Sequence, residues 1–180
     1  MKSSPFLAPV PFYWCDHCHV PVMGKLCACG RKTRQVSVTP PGDVRPAFER
    51  DRTLINRLFT EQFGVPLIPE GHLALLNKVP DEDRMEEIIL GGAVVCAIRY
   101  IPAEERWEVL PREAAALIVQ PTKRVIVVTD EAGGYIKEGK RVLMPGVVSG
   151  SPGIFLGGSV FFGAENGEGV LVGCALITLS

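Results

Sequence analysis

Residues 14–30 read W-C-D-H-C-H-V-P-V-M-G-K-L-C-A-C-G, which places four thiols at Cys15, Cys18, Cys27 and Cys29. Around them, residues 13–35 hold too few large apolar side chains to bury a core, so metal ligation is the reading that holds this segment together. Four thiolates around one Zn²⁺ make a soft tetrahedral shell, and the ion's binding free energy becomes folding free energy for the loops. The first pair is a regular Cys-x₂-Cys knuckle followed by a hydrophobe and Gly24. In the second pair one residue stands where two are usual, which either strains that knuckle or recruits His17 or His19 in place of a thiolate. A disulfide or redox pair, and a motif that has lost its ion, are the other readings of the same spacing. Catalytic zinc suits it poorly, because four cysteines leave no open position for water.

Outward from the cysteines, composition narrows the class. At 180 residues and 47% hydrophobic, the chain can bury one good core or two small ones and is neither disordered nor fibrous. Cys96 and Cys174 each stand alone in apolar, strand-like runs and read as small buried hydrophobes. The Pro-rich start has no signal-peptide pattern, and no stretch approaches the ~20 apolar residues that span a bilayer. The expected home is a reducing cytoplasm.

Charge is unevenly distributed. Residues 1–50 carry seven Lys/Arg against three Asp/Glu, residues 51–121 seven against twelve, and residues 122–180 five against five. Arg31, Lys32, Arg34, Arg45 and Arg50 follow the cysteines closely. Such a patch suits docking on the acidic stretches 81–87 and 104–113, contact with nucleic-acid phosphates, or a solvated surface.

The expected fold class is α+β in three parts: a zinc-ribbon segment (1–42), a small mixed α/β middle domain (43–121) and a barrel-like C-terminal domain (122–180). Alternation predicts a strand over 35–39, stopped by Pro40 and Pro41. Apolar residues at Leu54, Ile55, Leu58, Phe59 and Phe63 predict a helix capped by Asp51 and ended by Gly64. Strands are expected over 72–79, 88–90 and 93–101, with Trp107 and Val109 in another. His72 and the scattered carboxylates form no catalytic constellation. A short helix is expected over 111–118 with Pro111 at its first position. The last third then reads as a strand at 124–128, a helix capped by Thr129 and weakened by Gly133 and Gly134, and short strands cut by glycine turns, one of them at 154–156.

Residues 123–176 resemble a PUA domain, the RNA-binding pseudobarrel attached to many RNA-modifying enzymes. The matching parts are the helix and loop over 130–140, Pro145-Gly146-Val147, Ile154 with Gly157 and Gly158 before Val160, and Gly173-Cys174-Ala175. The usual acidic residue after the glycine of the Ile-x₂-Gly element is replaced here by Gly158-Ser159. The resemblance places an RNA-facing surface at Gly133, Gly134, Lys137, Lys140, Arg141, Pro145 and Gly146, with Tyr135 as a base-stacking candidate. So few charges would bind weakly alone, and Arg31, Lys32 and Arg34 of the cysteine segment would share the load.

The whole order is also similar to the N-terminal region of archaeal phosphoadenosine-phosphosulfate-reductase-like proteins. It carries Trp14-Cys15, Val20 to Gly24, and Thr39-Pro-Pro-Gly-Asp-x-Arg-Pro-Ala-Phe48. No Ser-Gly-Gly-x-Asp-Ser pyrophosphatase loop is present. The resemblance therefore implies a non-catalytic accessory module that binds RNA, such as tRNA, for a separate catalytic subunit. The alternative it allows is a protein-interaction or scaffolding subunit of a sulfonucleotide-reductase-like or ATP-pyrophosphatase-like complex.

Overall fold

The computed structural model describes residues 10–80, 84–140, 144–166 and 171–176. They fall into two compact units that do not follow chain order. One holds the described residues up to Arg52 together with Glu70–Glu108, and the other holds Thr53–Pro69 and the described residues from Val109 onward.

The first unit contains the ribbon and a five-stranded sheet. The ribbon strands β1 (Tyr13–Cys15), β2 (Val20–Val22) and β3 (Arg34–Gln35) pair antiparallel in the order β2-β1-β3. The strand expected over 35–39 pairs only at Arg34–Gln35. Beyond that, Thr39 turns to Glu87, whose carboxylate accepts the Thr39 N–H (2.9 Å), the Thr39 hydroxyl (2.6 Å) and the Asn77 amide (2.7 Å). Side-chain acceptors thus replace a ladder, satisfying a carboxylate that would be costly to bury alone.

The sheet is β4 (Asp43–Pro46), β5 (Ala74–Lys78), β6 (Met85–Leu90), β7 (Ala93–Ile101) and β8 (Arg106–Pro111), in that spatial order. Strand β4 has no counterpart in the sequence reading. Gly91 and Gly92, at φ 55° and 72°, form the two-residue turn between β6 and β7, where both positions need a left-handed backbone. This turn receives the ribbon. Phe12, Trp14 and Val36 pack on Leu75 and Ile89, and a Cβ on Gly92 would lie 2.3 Å from Trp14 Cγ.

Helix α1 (Glu49–Phe63) runs from the first unit into the second. Asp51 is not its cap. The Phe48 carbonyl accepts the first helical bond, from Arg52 N–H, so Phe48 is the N-cap residue, and Asp51 reaches back to accept the Phe48 N–H at 2.9 Å. This is the return half of a capping box. Arg45 clamps Asp51 with two bonds (2.5 and 3.1 Å) and also meets Glu86 (3.2 Å).

In the second unit Phe59 and Phe63 of α1 pack edge to face with Phe161 at 6.3 and 5.2 Å. Strand β9 (Val125–Val128), helix α2 (Asp130–Lys137), and strands β10 (Val147–Gly150), β11 (Ser159–Ala164) and β12 (Leu171–Leu176) complete it. The sheet order is β10-β9-β11-β12, with β9 and β11 parallel; among the described residues the ladders do not close into a barrel. Thr129 caps α2 as expected, its side chain accepting the Ala132 N–H. Two expectations fail. Pro111 ends β8, so its fixed φ serves a strand end and the following Glu113–Leu117 turn is 3₁₀. Residues 154–156 form no strand, because Gly153 and Gly157, both at positive φ, bend the chain on either side.

Replacing Gly92 by Ala adds left-handed strain to a clash with the buried indole, and is expected to destabilise the first unit by about 2–5 kcal/mol in denaturant titrations. Acid should act through Asp51, whose carboxyl is held below its ordinary value first by the Arg45 guanidinium and then by the Phe48 N–H. Its stabilising contribution is complete above the unfolded carboxylate value near ~4 and disappears as pH falls through the lower folded value. Urea midpoints of Asp51→Asn should therefore fall less steeply on acidification than those of the unmodified chain.

Candidate metal centre and basic surfaces

The two knuckles are built differently. In the first, Cys15 ends β1, His19 takes a left-handed backbone (φ 56°) with its N–H on the Cys15 carbonyl, and the Cys18 N–H points at Cys15 Sγ (3.5 Å). In the second, Leu26 and Lys32 form a bridge, Cys27 N–H donates to the Arg31 carbonyl, and Gly30 N–H donates to the Cys27 carbonyl. Gly30 at φ 82° tightens this turn enough for the one-residue spacer to bring Cys29 round.

All four sulfurs lie within 4.8 Å of one another. The Cys15–Cys29 and Cys18–Cys27 separations are 3.8 and 3.9 Å. A tetrahedral ion with metal–sulfur bonds of about 2.3 Å would set its sulfurs about 3.8 Å apart, and a disulfide would bring two of them to about 2.05 Å. The cysteines are free thiols in ligating geometry, and neither His17 nor His19 belongs to the cluster. Cys15 and Cys27 are buried, and Cys18 and Cys29 sit at the surface.

The thiols perturb one another as a crowded set must. The Cys18 N–H draws Cys15 down to about 7, while Cys18 is pushed up to about 12, first by its hydrogen bond with Cys29. So many negative charges cannot share this volume without a cation. The residues fit one ion held by four sulfurs, a closed coordination that shapes the ribbon and leaves no position for substrate.

The basic residues meet different fates. Arg34 spends its fork inside the first unit: Nε bonds both Asp16 carboxylate oxygens at 3.1 Å, and its terminal nitrogens donate to the Gly92 and Gly91 carbonyls at 2.7 and 2.6 Å. The ribbon thus docks on turn carbonyls, whereas the sequence offered the acidic stretches as its receptor; of the patch, Arg45 meets that stretch, at Glu86. Arg31 and Lys32 are exposed. In the second unit Gly133 is buried, and Gly134 is open, with nothing within 4 Å of a Cβ placed there. Lys137 lies one turn from Gly134 on the same helix face and is exposed. Lys140 pairs with Glu138 at 2.5 Å and lies 5.3 Å from the centre of the Tyr135 ring. Pro145 and Gly146 form a 3₁₀ turn with Met144, and Arg141 lies outside the described residues. Among described residues no helix is long and apolar enough to cross a membrane.

No protein-family model matches the chain. Over 178 residues it is 33% identical to an uncharacterized protein of Methanocaldococcus jannaschii, a match that takes in 96% of this chain and 37% of that protein. The chain therefore spans a little over a third of the length of this curated relative. A PUA-domain protein from Thermoplasma acidophilum superposes with a TM-score of 0.56 at 13% identity, over 76% of this chain and 81% of that one. Over about three quarters of its length the chain thus has the fold of a PUA-domain protein.

Purified chain should take up one equivalent of Co²⁺ with tetrathiolate absorption. Chelation is expected to release amide protection in residues 13–35 and at the Gly91–Gly92 turn together, while β9 stays protected in hydrogen exchange. Loss of protection throughout would show that the ion supports both units.

Proposed function

We propose that this chain is an RNA-binding module, not itself catalytic, that presents a structured RNA such as tRNA to an RNA-modifying or sulfur-transfer enzyme. The observation that carries this reading is the PUA-domain fold joined to a ribbon whose Arg31 and Lys32 are exposed. Structural Zn²⁺ held by Cys15, Cys18, Cys27 and Cys29 would order the ribbon. The archaeal relatives and the signature at residues 39–48 support a cytoplasmic, archaeal, phosphoadenosine-phosphosulfate-reductase-like setting, with catalysis on a separate domain or subunit. In that setting the segments 1–42, 43–121 and 122–180 serve as ribbon, middle domain and PUA-like pseudobarrel.

Charge supports a division of labour. Helix α2 and its following loop carry Asp130, Glu131 and Glu138 against Lys137 and Lys140, so this surface offers phosphates little net attraction. In residues 13–33 the single carboxylate, Asp16, is neutralised by Arg34, leaving Lys25, Arg31 and Lys32 as the positive groups of the ribbon. Gly134, Lys137, the Pro145-Gly146 turn and Arg141 would add close backbone approach and a few phosphate contacts.

Binding of tRNA by the zinc-loaded chain should weaken steeply with salt. The double variant Arg31→Ala/Lys32→Ala is expected to reduce the log–log salt slope by about 1–2 and Lys137→Ala by less than about 1. No binding at low salt would remove the reading. A second reading, an interaction subunit for a sulfonucleotide-reductase-like or ATP-pyrophosphatase-like partner, draws support from Leu117 and Ile118, which are 84% and 46% exposed. Copurification of such a partner, lost on Leu117→Asp, would favour it.

A further inference from the structure

Residues 39–48, which end in Arg45-Pro46-Ala47-Phe48, hold one aromatic ring out of the protein. Thr39 is fixed by Glu87, Arg45 by Asp51 and Glu86, Ala47 N–H by the Ala74 carbonyl, and Phe48 N–H by Asp51. The backbone on both sides of Phe48 is therefore tied down, yet its side chain is 65% exposed. The other exposed aromatic side chains among the described residues also meet charged groups, Tyr135 with Glu131 and Lys140 and Phe155 with Arg124 at 4.7 Å, and both are less exposed, at 43% and 44%.

Local stability does not account for a phenylalanine here. Phe48 occupies the N-cap position, where Ser, Thr, Asp or Asn would accept a helix N–H and an aromatic ring cannot. It is not a hydrophobic staple either, because such a staple joins the residue before the cap to the fourth helical residue, here Ala47 and Arg52. A solvent-facing ring on an anchored backbone that breaks a local rule marks a candidate functional position. Arg45, locked by two carboxylates, places its guanidinium 6.0 Å from the ring centre.

Register gives the ring its neighbours. Pro46 pairs with Leu75, Leu75 with Ile89, and Ala74 with Leu90, so Phe48 leaves the sheet at the end where the Gly91–Gly92 turn receives Arg34. Two inter-strand spacings, about 10 Å, separate β4 from β6 at that end. The ring and the docking point of the cationic ribbon thus share one end of one sheet.

We propose that Phe48 is a stacking platform for an unpaired nucleobase, by which the ribbon-bearing unit grips single-stranded RNA. Flat apolar bases on an anionic backbone match an exposed ring beside a positively charged ribbon, and the anchored backbone at the ring lowers the conformational entropy lost on binding. This assignment rests on the RNA-binding reading above and adds the nucleic-acid class that the first unit selects.

The test uses the full zinc-loaded chain with fluorescently labelled oligo(A), oligo(U) and a blunt RNA duplex, read by anisotropy across a salt series. Phe48→Ala should weaken single-strand binding by about 5- to 150-fold while leaving the salt slope and duplex binding unchanged. Phe48→Trp should retain binding. Phe48→Ser should lose it while its thermal midpoint stays level or rises, because serine is a better N-cap. Unchanged single-strand affinity in Phe48→Ala, with binding by the unmodified chain intact, overturns the platform and spares the RNA reading. No binding of any RNA by the unmodified chain overturns both. A lowered thermal midpoint in both Phe48→Ser and Phe48→Ala would make the ring structural and likewise overturn the platform.

Discussion

The contact between Trp14 and the Gly91–Gly92 turn is the constraint on which the first unit depends. A ribbon of residues 13–35 cannot bury a core by itself, so it borrows one. Its indole lies against a glycine that has no Cβ, Phe12 and Val36 extend the same apolar patch onto Leu75 and Ile89, and Arg34 closes the polar edge on two turn carbonyls. A large aromatic side chain buried this way contributes roughly 1.5–3 kcal/mol, comparable to what a short hairpin lacks on its own.

That arrangement gives the four-cysteine cluster a role beyond local folding. Asp16 stands inside the first knuckle and holds Arg34 Nε, while the other two nitrogens of Arg34 hold the turn. The four-cysteine knuckle and the sheet are therefore linked by one guanidinium, whose planar fork satisfies three acceptor groups at once where a lysine would act as a point charge. The same commitment keeps Arg34 occupied within the protein and leaves Arg31 and Lys32 facing solvent. In the second unit a different device works: Phe59, Phe63 and Phe161 hold the C-terminal half of α1 to the sheet by edge-to-face packing.

The residues bearing on function differ in how they are held. The Phe48 backbone and the Arg45 guanidinium are fixed by hydrogen bonds to carboxylates, which would lower the ordering cost of the proposed base contact. Lys137 lies on an exposed helix face, suited to a phosphate contact that tolerates movement. The proposed RNA reading would thus divide electrostatic attraction and geometric specificity between different side chains.

The sequence by itself determined the features whose physics is local. The four thiols announced a ligating cluster because soft ligands at that spacing have few other uses. The apolar stripe of α1 marked its buried face, and Thr129 marked the start of α2 through its own hydroxyl. Gly91 and Gly92 were visible as a pair, but their task was not, since a type I′ turn and a surface for Trp14 look alike in one dimension. Only the tertiary structure decided that Arg34 is tied to the Gly91–Gly92 turn, that Asp51 serves as the third helical residue while Phe48 caps, that Glu87 is buried among Thr39 and Asn77, and that Pro111 closes a strand. Two of these turn on a partner many residues away, Gly92 for Arg34 and Thr39 for Glu87. Hydrogen bonds between such distant partners leave no periodic trace in the chain, whereas helix stripes and metal knuckles repeat at spacings fixed by backbone geometry.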